Sequence, residues 1–115
     1  MDKNKIELKL LSHNVDLNSI NAIQLITIIM EEIELISTLK GASKKELVLS
    51  ILHQFTMDDD NIFIKTNNLN IIIAINNLLE SKIAMDIIDT IVACADGAVK
   101  INNKIKSSCF CFAKK

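Results

Sequence analysis

The stretch INAIQLITIIMEEIELISTL, residues 20 to 39, decides the fold class. Gln24, Thr27, Glu31, Glu34 and Thr38 recur at i, i+3, i+7, i+10 and i+14, while Ala22, Leu25, Ile29, Ile33 and Ile36 line the opposite side. A period near 3.6 gives one polar and one apolar face, the pattern of an amphipathic helix laid on a core. Asn18 or Ser19 can cap its start. Gly41 suits the left-handed position after its last turn.

Downstream, Ser43 stands three residues before Glu46 in SKKE, which is capping-box spacing for a new helix. That helix would bury Leu47, Val48, Ile51, Leu52 and Phe55 and stop near MDDDN, residues 57 to 61. A short apolar piece at 62–64 precedes a helix over about 67–79 that presents Leu69, Ile72, Ile73, Ile75 and Leu79. The last helix, roughly 83–95, would bury Ile83, Ile87, Ile88, Ile91 and Val92, show Asp86, Asp89 and Asp96 opposite, and stop at Asp96-Gly97. Upstream, KNKIELKLLS is ambiguous: Ile6, Leu8 and Leu10 alternate like a strand, whereas Leu8 and Leu11 suit a helix face. We read a short helix there, followed by a loop in HNVDLNS.

The whole is an all-α fold, a compact single-domain bundle or orthogonal array of four to five helices over residues 1–98. A basic tail containing Cys and Phe follows at 99–115. Composition agrees. A chain of 115 residues can bury one core but not two. Half the residues are hydrophobic and the only aromatics are four Phe, so the core must be mainly Ile and Leu. With no Pro and two Gly, the chain lacks the turn punctuation of hairpin-rich folds. The abundant Asn, Ile and Lys, with no Arg, read as coding bias, and we assign no role to single Asn residues.

The net charge of −1 hides an asymmetry. Through residue 96 there are eight Lys against fourteen acids, whereas Lys100, Lys104, Lys106, Lys114 and Lys115 follow with no acid among them. An acidic body with a basic tail places any contact with an anionic surface on those five lysines. The N-terminus shows no secretory signal pattern. The two longest charge-free stretches have 14 residues each, short of the roughly 20 that a membrane span needs. The expected location is cytoplasmic.

Candidate sites are few. Cys109 and Cys111 form one close pair, but a structural zinc needs four ligands, and Cys94, His13 and His53 are scattered. Cys94 reads as a small core residue, and His53 and His13 as solvated positions. The acids at 58–60 lack the spacing, central Gly and distal Glu of a calcium loop. No nucleophile elbow, zinc-protease or phosphate-loop motif is present. We therefore expect no enzyme activity, no metal and no cofactor, and identify no small-molecule substrate. An acidic body without Arg, Tyr or Trp argues against specific nucleic-acid binding.

The ending KSSCFCFAKK, residues 106–115, carries the remaining chemistry. Cys109 and Cys111 beside Phe and Lys fit reversible S-acylation, in which two acyl chains hold a protein on an anionic membrane. Alternatively Phe110 and Phe112 fold back onto a groove of the helical body.

Two stretches also carry a resemblance. GASKKELVLSIL (41–52) contributes Lys44, Lys45 and Val48, and IIDTIVACADGAVKINNK (87–104) contributes Ile87, Ile88, Asp89, Gly97, Lys100, Ile101 and Asn102. Together they resemble small helical proteins of nucleocytoplasmic large DNA viruses (mimivirus-like), with ACADGA standing where that pattern has a lysine beside the glycine. The resemblance implies a helical fold and a viral origin, hence host cytoplasm or virion, and no known activity. The expected function is a non-enzymatic interaction or structural protein that docks a protein partner or self-associates. The alternatives are a peripheral membrane protein anchored by an acylated tail, or a small metal or redox protein.

Overall fold

The segment that decides the fold class is helical because its first turn is closed from both ends. In the computed structural model, which describes residues 2–36 and 40–95, Asn21 accepts from the Gln24 N–H at 2.9 Å, and Gln24 Oε1 accepts from the Asn21 N–H at 2.9 Å. This reciprocal pair is a capping box in amide form. It starts helix α2 (Ala22–Ile36), so Asn21 takes the role expected of Asn18 or Ser19. Leu25, Ile26, Ile29, Met30 and Ile33 are fully buried along it. Thr27, expected on the polar stripe, is buried too, its hydroxyl satisfied by the Ile23 carbonyl at 2.9 Å.

Among the described residues there are five longer helices and one single turn, and together they form an all-α single domain. They are α1 (Lys3–Ser12), α2, α3 (Gly41–Met57), the turn α4 (Ile62–Lys65), α5 (Leu69–Glu80) and α6 (Ala84–Ala95). Helix α3 is the centre. It packs against α1, α2, α5 and α6, and its Val48, Ile51, Leu52 and Phe55 are fully buried. Phe55 meets Phe63 of α4 with ring centroids 5.5 Å apart and planes tilted 48°, an arrangement that suits the ring quadrupoles.

A chain with two glycines still has to end its helices. It does so with three Schellman motifs whose left-handed residues are not glycine: Asn14 (φ 54°), Asn67 (φ 61°) and Lys82 (φ 62°). In each, the next N–H returns to the carbonyl five residues back: Val15 to Leu10 at 3.3 Å, Asn68 to Phe63 at 2.8 Å, Ile83 to Leu78 at 3.2 Å. Asn tolerates this region better than most residues, so part of the Asn content is structural rather than coding bias.

Other expectations need correction. Helix α3 begins at Gly41, two residues before Ser43, with Lys40 at the N-cap and no side-chain cap. The Ser43/Glu46 box is therefore not formed. Gly41 is buried inside α3 and does not close the preceding helix. On α5 the buried residues are Ile71 and Ile75, while Leu69 and Ile73 are exposed. Ile83 lies in the turn before α6 and is also exposed.

Four lysines tie the helices together. Lys9 pairs with Glu32 at 3.0 Å between α1 and α2, Lys44 with Glu34 at 3.0 Å between α3 and α2, and Lys45 with Asp89 at 2.6 Å between α3 and α6. Lys3 is the fourth and frames the site described next.

Candidate docking cleft

The first turn of α1 is held by one local side chain and one that is distant in sequence. Asp2 caps it by accepting from the Lys5 N–H at 3.3 Å, and Gln54 of α3 reaches across to accept from the Lys3 N–H at 2.8 Å. Two of the helix's orphan donors are thereby satisfied. The Lys3 ammonium, almost wholly buried, points into the loop that joins α3 to α4. It donates to the Asp60 carbonyl at 2.9 Å and lies 3.3 Å from Asp58 and 3.5 Å from Glu7. Glu7 in turn accepts from the Ile62 N–H at 2.8 Å.

That loop is fixed from within by Asn61, which is 0% exposed. Its oxygen accepts from the N–H groups of Phe63 and Ile64 at 3.0 and 3.1 Å, and its amide donates to the carbonyls of Phe55 and Asp58 at 3.0 and 2.8 Å. All four hydrogen-bonding positions of one side chain are used. The acidic run at 58–60 is thus a helix-flanking turn, as its composition indicates, and its cap is Asn61.

Between the α1 start and the C-terminal half of α3 this frame leaves an open cleft of about 640 Å³. Asp2, Asn4, Ser50, His53, Met57 and Asp58 are on its lining. Met57 is its apolar element and is 80% exposed. Asp58 is an anion at the rim: the Asp60 N–H, and then the hydrogen bond from Lys3, hold its carboxyl below the ordinary value of 3.8. Asp60 itself faces Lys65 at 2.9 Å, and that hydrogen bond raises the Lys65 ammonium above its ordinary range.

On α1 the lining ends at Asn4, and the helix face that carries Asn4 runs on beyond the cleft. Asn4, Leu8 and Leu11 recur at i, i+4 and i+7, so they share one helix face and run about 10 Å along the axis from the cleft. Leu8 is 65% and Leu11 56% exposed. Ile6 and Leu10 occupy the buried side. The N-terminal segment is the short helix we read there, apolar on two faces: Ile6 and Leu10 lie inward, and the Leu8 and Leu11 face is the outer one.

His53 lies on the cleft lining and His13 at the α1 C-cap, both solvated, as expected. Asp86 is exposed, and Asp89 of the same helix is engaged by Lys45. Cys109, Cys111, Phe110, Phe112 and the five lysines from Lys100 to Lys115 lie outside the described residues, as does the Cys94 side chain. No helix among the described residues is long and apolar enough to cross a membrane. Among them, too, no three His, Cys, Asp or Glu side chains are placed to hold a metal ion. Comparison with protein-family models, with curated proteins and with solved structures finds no match in any of the three.

Proposed function

We propose that the protein is a non-enzymatic helical interaction module that holds an extended protein segment carrying aromatic and basic side chains. One observation carries this reading: exposed Met57 lines a cleft that also carries Asp2 and Asp58, and the α1 face that borders this cleft at Asn4 goes on to exposed Leu8 and Leu11. Exposed apolar side chains scattered singly need no explanation, whereas apolar groups continuous with a cleft form a recognition surface. An extended peptide places alternate side chains on one side, about 7 Å apart, so that two of them can face one surface. Aromatic rings gain a sulfur contact at Met57, and lysines meet Asp2 and Asp58 at the rim. The outer face of α5 also shows Leu69 and Ile73, but Asn70, Asn76 and Asn77 surround them.

The test uses a fluorescein-labelled peptide, Lys-Ala-Phe-Ala-Phe-Ala-Lys-Lys, titrated by anisotropy. Met57→Glu is expected to weaken its binding at least ~10-fold, which corresponds to about 1.4 kcal/mol. Added salt is expected to weaken binding to the unaltered chain as well. An affinity unchanged by Met57→Glu removes the cleft from the account.

A further inference from the structure

We infer that the resting occupant of this cleft is the chain's own C-terminal segment, residues 109–112, with Phe110 and Phe112 on Met57, Leu8 and Leu11 and the flanking lysines at the rim formed by Asp2 and Asp58. The inference rests on the docking reading above and names its ligand.

Chemistry is the first argument. In an extended segment Phe110 and Phe112 fall on one side about 7 Å apart, with Cys109 and Cys111 on the other. Met57 on the cleft lining offers a sulfur contact to one ring, and Leu8 and Leu11 on the α1 face beyond Asn4 offer apolar surface to the second. Charge is the second. Lys114 and Lys115 follow Phe112 after one alanine, Lys106 precedes Cys109, and the segment from residue 97 onward has no acid. The rim it would meet carries Asp2 and Asp58, with Asp59 adjacent.

Reach is the third. Helix α6 ends at Ala95, fifteen residues before Phe110. At ~3.3 Å per residue that chain can extend up to about 50 Å. The folded body measures 36 × 28 × 25 Å, so a tether of this length exceeds its longest dimension. A tether of this kind gives an effective concentration in the millimolar range, so even a weak contact is populated within one molecule before a second copy competes.

The experiment is a methyl spectrum of the full-length chain labelled with 13C at its methionine methyls, of which there are four. The Met57 signal is assigned by its loss in Met57→Leu, and buried Met30 reports that each variant is folded. The expected result is an upfield-shifted Met57 methyl with nuclear Overhauser contacts to Phe ring protons, abolished in Phe110→Ala/Phe112→Ala and unchanged on tenfold dilution. A Met57 signal that is the same in both chains and lacks aromatic contacts overturns the inference. So does a contact that fades on dilution and appears between differently labelled chains, which makes a second copy the occupant. Adding the Lys-Ala-Phe-Ala-Phe-Ala-Lys-Lys peptide to Phe110→Ala/Phe112→Ala separates the two levels. If the peptide shifts Met57 where the tail did not, the tail inference fails and the docking reading stands; if neither shifts it, both fail.

Discussion

Asn61→Ala is expected to lower the unfolding free energy by about 3 kcal/mol or more, the largest effect of any single polar substitution in the described structure. Alanine leaves four backbone groups without partners: the Phe55 and Asp58 carbonyls and the Phe63 and Ile64 N–H groups. Each buried unsatisfied group costs on the order of 1–3 kcal/mol, and loss of a helix cap alone costs about 1. Water reaching the more exposed of these groups keeps the sum below four full penalties. For a domain of this size the loss should depress the melting temperature by more than about 10 °C. Asn61→Asp keeps the capping oxygen but sets a carboxylate against two carbonyls, so little rescue is expected. A loss below about 1 kcal/mol for Asn61→Ala, measured by urea unfolding with an unchanged m value, would contradict the role assigned to this side chain.

Lys3→Met is the second large effect, about 2 kcal/mol. It leaves Glu7 and Asp58 facing each other across the α1 start without the cation, and leaves the Asp60 carbonyl without its donor. Breaking a fully buried ion pair costs about 3–5 kcal/mol, but Glu7 and Asp58 retain partial access to water, which reduces the figure. The substitution also changes the acid limb of the stability curve. Because the Asp58 carboxyl sits below its ordinary 3.8 in the folded state, its contribution is complete above that value and is lost as pH falls through the lower folded one. Without Lys3 the Asp60 N–H and, more weakly, the Lys65 charge still favour the anion, so the loss of stability below about pH 4 should be shallower than in the unaltered protein. An equally steep acid limb in both proteins would show that Lys3 does not hold Asp58.

The all-α class was legible because the helix over 22–36 repeats its apolar face for four turns and no other period fits it. Boundaries were legible only where the signal was strong in one direction. Ser43 and Glu46 have the right spacing for a box, yet the helix starts at Gly41, because spacing does not reveal that Gly41 is buried against the body. On α5 the run Ile71-Ile72-Ile73 offers three adjacent registers with equal hydrophobicity. What selects Ile71 is a tertiary contact: the buried Asn68 amide donates to the Leu17 carbonyl at 2.9 Å and the Ile20 carbonyl at 3.4 Å and so fixes the rotation of the helix start.

The asparagines hid the most. In a chain rich in Asn no single one stands out, but Asn14, Asn21, Asn61, Asn67 and Asn68 each close a helix end or a turn. Their positions, not their number, carry the information. The cleft itself was not legible, since it is assembled from residues 2–4 and 50–58, which only the fold brings together. Its one sequence trace was the double apolar pattern of the first helix, where Leu8 and Leu11 are too many for a single buried face.

Photo-crosslinking tests the docking surface most directly. A peptide of the sequence used above, with benzoylphenylalanine in place of its first Phe, is irradiated with the Phe110→Ala/Phe112→Ala chain, whose own tail cannot compete, and the attachment site is mapped by mass spectrometry. The account predicts a saturable adduct on Met57, Leu8 or Leu11, competed by unlabelled peptide and lost in Met57→Glu. An adduct confined to Leu69 and Ile73 of α5, or no saturable adduct at all, would contradict it.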